Sequence, residues 1–222
     1  MGVSYYIRGA IVNHIINQEL INQIQISYET VPLSVFLIGT NGCGKSSLRN
    51  YLNLSDIQTN IDPDMLNRLY KSKYPANYQT LAAKQALKMY AEALHNEFNL
   101  CLESTLAGKG TMQRIIEAKK KGHYTVGYFI GLNSVELNIE RIANRVAGGG
   151  HFIPDEIVRR RYSESVSNLI QIKDQFNLLH VIDNSEQFYR LQFTYENHQI
   201  HKPNQQRLAA WALDLVARFS FR

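Results

Sequence analysis

The hydrophobic and polar positions of this chain form two kinds of pattern, which predict strands and helices in alternation. Short continuous apolar runs such as "VFLIG" (35–39) are typical of strands that are covered on both faces. Longer stretches place apolar residues at helical spacing. The predicted strands span 35–39, 57–62, 99–105, 124–132 and 178–183, and the predicted helices span 10–25, 45–53, 77–97, 111–122, 134–146 and 155–176.

Alternation of strands and helices favours a mostly parallel sheet with helices on both faces. We therefore predict an α/β fold, with a three-layer α/β/α domain of the P-loop kinase type over 33–185. Before it, 1–32 is predicted to be a helical segment that ends near Pro32. The buried face predicted for the helix of 77–97 consists of Leu87, Tyr90, Leu94 and Phe98.

The C-terminal residues 186–222 carry a different pattern. Two short strands flank a predicted turn at Glu196 and Asn197, and a helix follows Pro203. We predict a β-hairpin and a helix that pack on the main domain. The apolar stripe of this helix consists of Leu208, Trp211, Leu215 and Phe219.

The composition is that of a globular protein that binds an anion. The chain has 222 residues, of which 45% are hydrophobic and 19% are charged, and its formal net charge is +5. A mild basic excess fits a nucleotide; it also fits nucleic acid, but the sequence has no long basic tail and no reader motif. We expect no nucleic-acid partner.

Cysteine usage and the N-terminus predict a cytoplasmic protein. The only two cysteines, Cys43 and Cys101, form no CxxC pair and no disulfide framework, which indicates a reducing compartment. The N-terminal residues lack the basic and apolar regions of a signal peptide. No segment has the length of a membrane span, so no membrane association is expected.

A phosphate-binding motif follows the first predicted strand. The segment 39–46, "GTNGCGKS", matches G-x-x-x-x-G-K-[ST] and lies between a strand and a helix. Its backbone N–H groups and the N-terminus of the following helix favour the binding of a polyphosphate. Lys45 can reach the β- and γ-phosphates of ATP, and the Ser46 hydroxyl can bind Mg²⁺. The predicted ATP site consists of Gly39, Thr40, Asn41, Gly42, Cys43, Gly44, Lys45, Ser46 and Ser47.

Carboxylates follow the next two strands and point to phosphoryl transfer. A kinase needs an acid that accepts the proton of the attacking hydroxyl, and Asp62 and Asp64 of "NIDPDML" lie where the crevice of a parallel sheet opens. Asp62 also fits a helix N-cap before Pro63, which leaves Asp64 for chemistry. Glu103 ends a further strand and can hold substrate hydroxyls or Mg²⁺-bound water; a capping role for Ser104 or Thr105 stays open beside it.

A segment rich in glycine and arginine predicts a mobile lid around 147–161. Arg141 and Arg145 lie four positions apart on one helix, three glycines follow at 148–150, and the next helix carries 159–161, "RRR". Arginines on such a lid can close over the transferring phosphate and spread its charge. A solvated basic face is the alternative for one or two of the triplet, and Arg161 is our candidate for the inner side.

Together, the P-loop, "IDPD", "LEST" and "IERIANRV" followed by "GGHFIP" resemble the zeta toxins, P-loop kinases of toxin–antitoxin systems, over about 33–185. The resemblance implies ATP-dependent phosphorylation of a hydroxyl of UDP-N-acetylglucosamine, which blocks synthesis of peptidoglycan precursors. By position, Lys45 matches the P-loop lysine, Asp64 the catalytic base, and Arg141 an arginine on the transferring phosphate. Glu103 and Thr105 match residues that hold the amino sugar.

One departure from the family pattern concerns the lid. Better-studied zeta toxins have a second arginine where this chain has "GHF", with His151 at about that position. Arg145 or Arg161 supplies the second charge, or His151 does so when it is protonated. The family also implies a possible antitoxin partner. Residues 1–30 are too short for a three-helix antitoxin, so the alternatives for this segment are a single inhibitory helix and an ordinary packing helix.

Two other functions stay open from the sequence. One is a kinase of another small hydroxylated molecule, such as an antibiotic or a sugar. The other is a nucleotide-dependent regulatory module without phosphoryl transfer. Asp64 discriminates between these classes, because a switch protein needs no acid that deprotonates a hydroxyl.

Overall fold

A single twisted sheet of seven strands forms the centre of the computed structural model, which describes residues 31–52, 54–203 and 207–220. The strands are β1 (Leu33–Ile38), β2 (Thr59–Ile61), β3 (Leu100–Ser104), β4 (Tyr124–Gly131), β5 (Leu178–Asp183), β6 (Arg190–Glu196) and β7 (Gln199–His201). They lie in the order β2-β3-β1-β4-β5-β6-β7. The helix predicted for 10–25 lies outside the described residues.

Helices cover both faces of this sheet, and the predicted α/β class is confirmed. They are α1 (Lys45–Arg49), α2 (Pro63–Lys73), α3 (Tyr78–His95), α4 (Lys109–Lys120), α5 (Val135–Ala147), α6 (Asp155–Ile172) and α7 (Ala210–Ser220). A short 3₁₀ turn at Lys173–Gln175 follows α6. Within the described ranges, no helix combines the length and the apolar character that a bilayer crossing requires.

The core forms because β1 is buried on both faces, as its continuous apolar run predicts. Phe36 and Ile38 belong to the larger cluster, which includes residues of α2, α3, α4, α6 and α7. Val35 and Leu37 face a smaller cluster on the other side of the sheet. The side chains alternate between the two faces as the period of a strand requires. β1 is therefore an interior strand of the sheet, between β3 and β4.

Parallel pairing brings the carboxyl ends of five strands to one edge. β1 pairs in parallel with β3 and β4, β2 pairs with β3, and β4 pairs with β5. The loops after β1, β2, β3, β4 and β5 all leave this edge. In open sheets of this kind, ligands bind outside the carboxyl ends of the strands. Most of the site residues that the sequence predicts lie on these loops or on the helices that follow them; Glu103 lies near the end of β3 itself, and His151 and Arg161 lie after α5.

Helices α1 and α3 each differ in one detail from the sequence-based expectation. Helix α1 ends at Arg49 and continues only as turns, since Asn50 favours a turn over a helix. On α3, Tyr90 and Leu94 are buried as predicted, but Leu87 is 52% exposed and Phe98, beyond the helix end, is 42% exposed. The buried stripe of α3 is completed by alanines such as Ala82 and Ala93, whose small side chains contribute little to a hydrophobic pattern.

The C-terminal hairpin continues the sheet. β6 pairs antiparallel with β5 and β7 pairs antiparallel with β6. The turn is formed by Asn197 and His198, both with positive φ (50° and 63°), one position later than predicted. Positive φ at both central residues is the requirement of a type I′ hairpin turn. Helix α7 then packs Leu215 and Phe219 into the main core. It begins at Ala210 and not at Pro203 as predicted, so Leu208 of the predicted stripe is buried ahead of the helix.

A buried histidine in this extended sheet gives a pH-dependent stability. His180 of β5 is fully buried, its ring stacks on Tyr128 with centroids 5.1 Å apart, and its Nδ1 lies 3.0 Å from Oγ1 of Thr194 on β6. Burial lowers the pKa of His180 to about 3. The imidazole is therefore neutral in the folded protein at any pH where the chain is normally handled.

We expect this histidine to destabilise the fold as pH falls below its ordinary pKa. Below that pH the unfolded chain binds a proton at His180, whereas the folded chain keeps the imidazole neutral. His180 alone should therefore lower the free energy of unfolding by about 2 kcal/mol between about pH 7.5 and about pH 5. The free energy of unfolding in urea is measured at both pH values. The part of the difference that is due to His180 should be absent in His180→Gln and present in His95→Gln, which changes an exposed histidine. An unchanged pH dependence in His180→Gln would contradict the assignment.

Candidate active site

The loop from Gly39 to Gly44 folds around the side-chain ammonium of Lys45. Lys45 is 7% exposed, and its Nζ donates hydrogen bonds to the carbonyl oxygens of Gly39 (2.7 Å) and Thr40 (3.1 Å). A buried cation requires partners of this kind. The loop therefore presents a fixed positive charge and the free N–H groups of a helix start at one point, which is the arrangement that binds a polyphosphate.

Helix α5 supports this loop from one side. The side chain of Asn138 is fully buried, and its Nδ2 donates to the carbonyl oxygen of Asn41 (2.7 Å). Gly42 has φ +78°, and a Cβ atom there would lie 2.6 Å from the backbone oxygen of Asn138. Only glycine combines this backbone angle with so close an approach.

The segment after β5 supports the loop from the other side. Asn184 donates from Nδ2 to the carbonyl oxygen of Cys43, and the Tyr189 hydroxyl donates to that of Gly44, both at 2.8 Å. Burial raises the pKa of Tyr189 to about 12, so it remains a donor. The sequence did not predict the roles of Asn138, Asn184 and Tyr189, because no local pattern marks them. Asn184 and Tyr189 lie more than 140 positions from the P-loop residues that they contact.

A buried carboxylate at the end of β3 contacts the P-loop helix. The Ser46 hydroxyl donates to Oε1 of Glu103 at 2.9 Å. Glu103 is 6% exposed, and its Oε2 has no hydrogen-bond partner among the described residues. Burial raises the pKa of Glu103; the nearby charge of Lys45 acts against this increase and that of Asp62 adds to it. A cation or a hydroxyl group is the partner that the second oxygen lacks.

The two aspartates after β2 lie in different environments. Oδ1 of Asp62 accepts hydrogen bonds from the backbone N–H groups of Asp64 (2.9 Å) and Met65 (3.1 Å), so Asp62 is the N-cap of α2. Its Oδ2 lies 3.8 Å from Nη1 of Arg49, a half-buried residue of α1. Asp64, in the first turn of α2, is exposed. The capping role predicted for Asp62 is confirmed, and the cap does not use the side chain of Asp64.

The loop between β3 and α4 holds Thr105 beside Glu103. Thr105 is half-buried, and the next residue, Leu106, is fully buried with φ +58°. Leu106 is fixed through both backbone groups: its N–H donates to the Ser104 hydroxyl (3.1 Å), and its oxygen accepts from Nδ2 of Asn168 on α6 (2.8 Å). A non-glycine residue at positive φ is strained, and such strain is concentrated at functional sites.

The arginines of the predicted lid divide into two groups. Arg161 on α6 donates from Nη1 to Oδ1 of Asn41 in the P-loop at 2.9 Å. Arg159 and Arg160 instead pair with Glu136 (2.7 Å) and Glu164 (3.8 Å) at exposed positions. Surface pairs of this kind contribute little. Of the triplet, Arg161 is thus the residue that contacts the phosphate-binding loop.

The remaining lid residues lie around the glycine turn. Arg145 donates from Nη2 to the backbone oxygen of His151 at 3.1 Å, and the side chain of His151 is exposed. Arg141 is half-buried on α5. Burial raises the pKa of the Cys43 thiol, and the nearby charge of Lys45 lowers it; the charge of Arg141 also lowers it, as the smallest of these influences.

These groups fit a nucleotide with Mg²⁺. The described residues contain no cluster of three or more His, Cys, Asp or Glu side chains that could hold a metal by themselves. Mg²⁺ in phosphate-transfer sites usually takes one or two protein oxygens, and the phosphates and water complete its shell. The Ser46 hydroxyl and the unpartnered oxygen of Glu103 match this donor set.

Solved structures with the same fold include AvrRxo1-ORF1 and a component of a chromosomal toxin–antitoxin system. AvrRxo1-ORF1, crystallised with AvrRxo1-ORF2 and sulphate ions, aligns with a TM-score of 0.63 and 14% identity over 81% of this chain and 63% of that chain. The same complex with ATP gives a TM-score of 0.62. The PezAT chromosomal toxin–antitoxin system of Streptococcus pneumoniae gives 0.55 with 16% identity, over 86% of this chain and 78% of that chain.

The fold is of the P-loop kinase type, and together with the family match it makes the chain a kinase-type phosphotransferase. The family model of zeta toxins matches residues 18–192, and the chain belongs to this family. An uncharacterized protein of Haemophilus influenzae is 38% identical over 129 residues, which are 58% of this chain and 91% of that protein. The resemblance that the sequence motifs predict is therefore confirmed.

The close contact at Gly42 leads to a prediction about the nucleotide site. Gly42→Ala places a methyl group against the backbone of α5 and strains φ, which should cost about 1–2 kcal/mol and weaken ADP binding because the loop must move. Gly110→Ala, in the first turn of α4 with open space around its Cβ position, is the matched control. Calorimetric unfolding and ADP titration should leave the control near wild type; equal behaviour of the two variants would contradict the prediction.

Proposed function

We propose that the protein transfers the γ-phosphoryl group of ATP to a hydroxyl of a small sugar nucleotide, with UDP-N-acetylglucosamine as the expected acceptor. The observation that carries the proposal is the hydrogen bond between Ser46 and Glu103. It joins the phosphate-binding loop to a buried carboxylate on the neighbouring strand, so that a nucleotide phosphate and an acidic acceptor site would share one edge of the sheet.

ATP binding is assigned to the P-loop. Lys45 would exchange its bonds to the loop carbonyls for bonds to the β- and γ-phosphates, and the backbone N–H groups of 40–46 would surround the phosphate chain. Mg²⁺, held by the Ser46 hydroxyl, would neutralise phosphate charge. The complex of AvrRxo1-ORF1 with ATP, which has the same fold, supports ATP as the nucleotide.

Asp64 is the proposed general base. Its carboxylate would accept the proton of the acceptor hydroxyl while the hydroxyl oxygen forms a bond to the γ-phosphorus and the bond to the bridging oxygen of ADP breaks. Asp64 is exposed and not engaged by the cap of α2, whereas Asp62 is buried and engaged. A base must be reachable by the substrate, which favours Asp64.

The lid arginines would spread the charge of the transferring group. Arg161 already contacts the P-loop through Asn41, and the charge of Arg141 reaches Cys43. Arg145 contacts the lid backbone at His151. We assign the second cationic position of the family to Arg161. Arg145 then orders the glycine turn, and His151 lies at the solvent-facing part of the acceptor site.

The acceptor would bind between the loop of Thr105 and the N-terminus of α2. Oε2 of Glu103 lacks a partner among the described residues and can accept a sugar hydroxyl. Thr105, held by the strained backbone of Leu106, can donate or accept beside it. The family resemblance implies an amino sugar at this place, and Asp62 and His151 would contribute at its margin.

Family membership also supports a partner. The PezAT structure is that of a toxin–antitoxin system. We propose that an antitoxin protein binds this chain and restrains its activity in the cytoplasm. The product, a phosphorylated sugar nucleotide, would interrupt the supply of peptidoglycan precursors.

The acceptor is tested directly by incubation with ATP, Mg²⁺ and UDP-N-acetylglucosamine. Mass spectrometry should find the sugar nucleotide with one added phosphate, and Lys45→Ala should abolish both this product and ATP turnover. ATP turnover with no change in the sugar nucleotide would reject this acceptor, and a panel of sugars and aminoglycosides would then identify the class of the true one.

The base is tested by Asp64→Asn. The amide cannot accept the hydroxyl proton, so the transfer rate should fall by about 10²–10⁴-fold while ADP affinity stays near wild type. Asp214→Asn, at an exposed position of α7 that pairs with Arg218, is the control for a lost surface carboxylate and should transfer normally. Normal transfer by Asp64→Asn would remove this residue from the mechanism.

A further inference from the structure

The C-terminal helix reaches the carboxyl edge of the sheet through one side chain. Helix α7 lies beyond the residues that the zeta toxin model matches, 18–192. At its start, the indole ring of Trp211 lies directly on Gly131, the last residue of β4. A Cβ atom at Gly131 would lie between 2.4 and 2.7 Å from three ring carbons of Trp211, so any larger residue would displace the indole.

The indole also binds a fully buried carboxylate. Nε1 of Trp211 donates to Oδ1 of Asp183, the last residue of β5, at 3.0 Å. The Ser185 hydroxyl donates to the same oxygen (2.6 Å), and Nη2 of Arg190 donates to Oδ2 (3.1 Å). A buried carboxylate is stable only with such donors, so these three groups fix one another.

Asp183 is directly followed by the segment that supports the P-loop. This segment, 184–189, contains Asn184 and Tyr189, which donate to the carbonyl oxygens of Cys43 and Gly44. Ser185, held by Asp183, also accepts from the backbone N–H of Asn133 after β4. The contacts from the indole to the phosphate-binding loop are thus continuous through Asp183 and this segment.

A second path leads from the indole to the P-loop without passing through Asp183. Trp211 lines a cavity of about 10 Å³ together with Thr40 and Cys43 of the P-loop and with Tyr162 and Val166 of α6. A space of this size holds at most one water molecule, so these groups are close-packed. The indole thus lines the same small cavity as the P-loop and the helix that carries Arg161.

We propose that Trp211 is a positioning residue for the nucleotide site, through which the C-terminal helix fixes the P-loop in its binding conformation. The inference rests on the proposed ATP site in 39–47. Its physical basis is preorganisation: a loop that is already held in place loses less freedom when the phosphates bind, and the ligand binds more tightly. A residue that only fills the core would raise the stability of the fold and leave the affinity unchanged.

The experiment compares Trp211→Phe with Phe219→Leu. The first keeps an aromatic ring but loses the N–H group and part of the contact with Gly131. The second lies at the other end of the same helix, where Phe219 contacts Phe193 and Tyr195 with ring centroids 5.6 and 5.2 Å apart. ADP affinity with Mg²⁺ is measured by titration calorimetry, and the melting temperature is measured for each variant.

Trp211→Phe should weaken ADP binding about tenfold, the order expected when a hydrogen bond to a charged acceptor is lost. Phe219→Leu should lower the melting temperature and keep wild-type ADP affinity. Asp183→Asn provides a second variant of the same link, which keeps the test valid if Trp211→Phe does not fold. The double variant should weaken ADP binding by less than the sum of the two single effects, because both changes break the hydrogen-bonded path through Asp183.

The outcomes separate this inference from the function on which it rests. Trp211 is the only tryptophan of the chain, so ADP should change the tryptophan fluorescence of the wild-type protein. If the wild-type protein binds ADP, and Trp211→Phe or Asp183→Asn binds ADP with the wild-type affinity, the positioning role is wrong. The proposed ATP site is not affected by that result. The positioning role is also wrong if Phe219→Leu loses ADP affinity in proportion to its fall in melting temperature. A wild-type protein that binds no ADP overturns the proposed ATP site as well.

Discussion

A buried positive charge at the end of β1 is the constraint on which the rest of this site depends. The ammonium of Lys45 is almost inaccessible to water and is stabilised by two carbonyl oxygens of its own loop. Those carbonyls can point inward only if the other backbone groups of the loop are held from outside. Asn138, Asn184 and Tyr189 do this, each with one hydrogen bond to a loop carbonyl. The P-loop is thus held by the whole carboxyl edge of the sheet.

The same constraint explains the different environments of the nearby carboxylates. Glu103 is buried beside Ser46, and burial raises its pKa; the charge of Asp62 adds to this increase and that of Lys45 acts against it. Asp62 is fixed by the N-terminus of α2 and approached by Arg49. Asp64 alone is exposed. Three acids at the carboxyl edge of the sheet therefore differ in solvation and in partners, and such differences allow neighbouring carboxylates to take separate roles.

Much of the fold and part of the site could be predicted from the sequence, and the difference has a physical cause. The strand at 178–183 and the cap at Asp62 follow from local patterns of apolar and polar residues, as does the P-loop, whose nucleotide role stays a proposal. Supports such as Asn184 cannot be found in this way, because each contact joins residues that are distant in sequence and uses a side chain common in loops. The exposed Leu87 was predicted as buried since hydropathy ignores how well alanines pack against a sheet.

The C-terminal hairpin and helix connect stability to the site. Without β6, strand β5 would be an edge strand with unpaired backbone groups, and two of its buried polar side chains would each lose a partner: His180 contacts Thr194, and Asp183 contacts Arg190. β6 removes that edge, and the short, polar β7 is a poor template for further pairing. Since Asp183 is also bound by Trp211, the groups that complete the sheet are the same groups that orient the segment behind the P-loop. An extension that served only to cover an edge would not need to bury a carboxylate there, because an apolar residue of similar size would be at least as stable. The buried carboxylate is better explained by the geometry that it fixes.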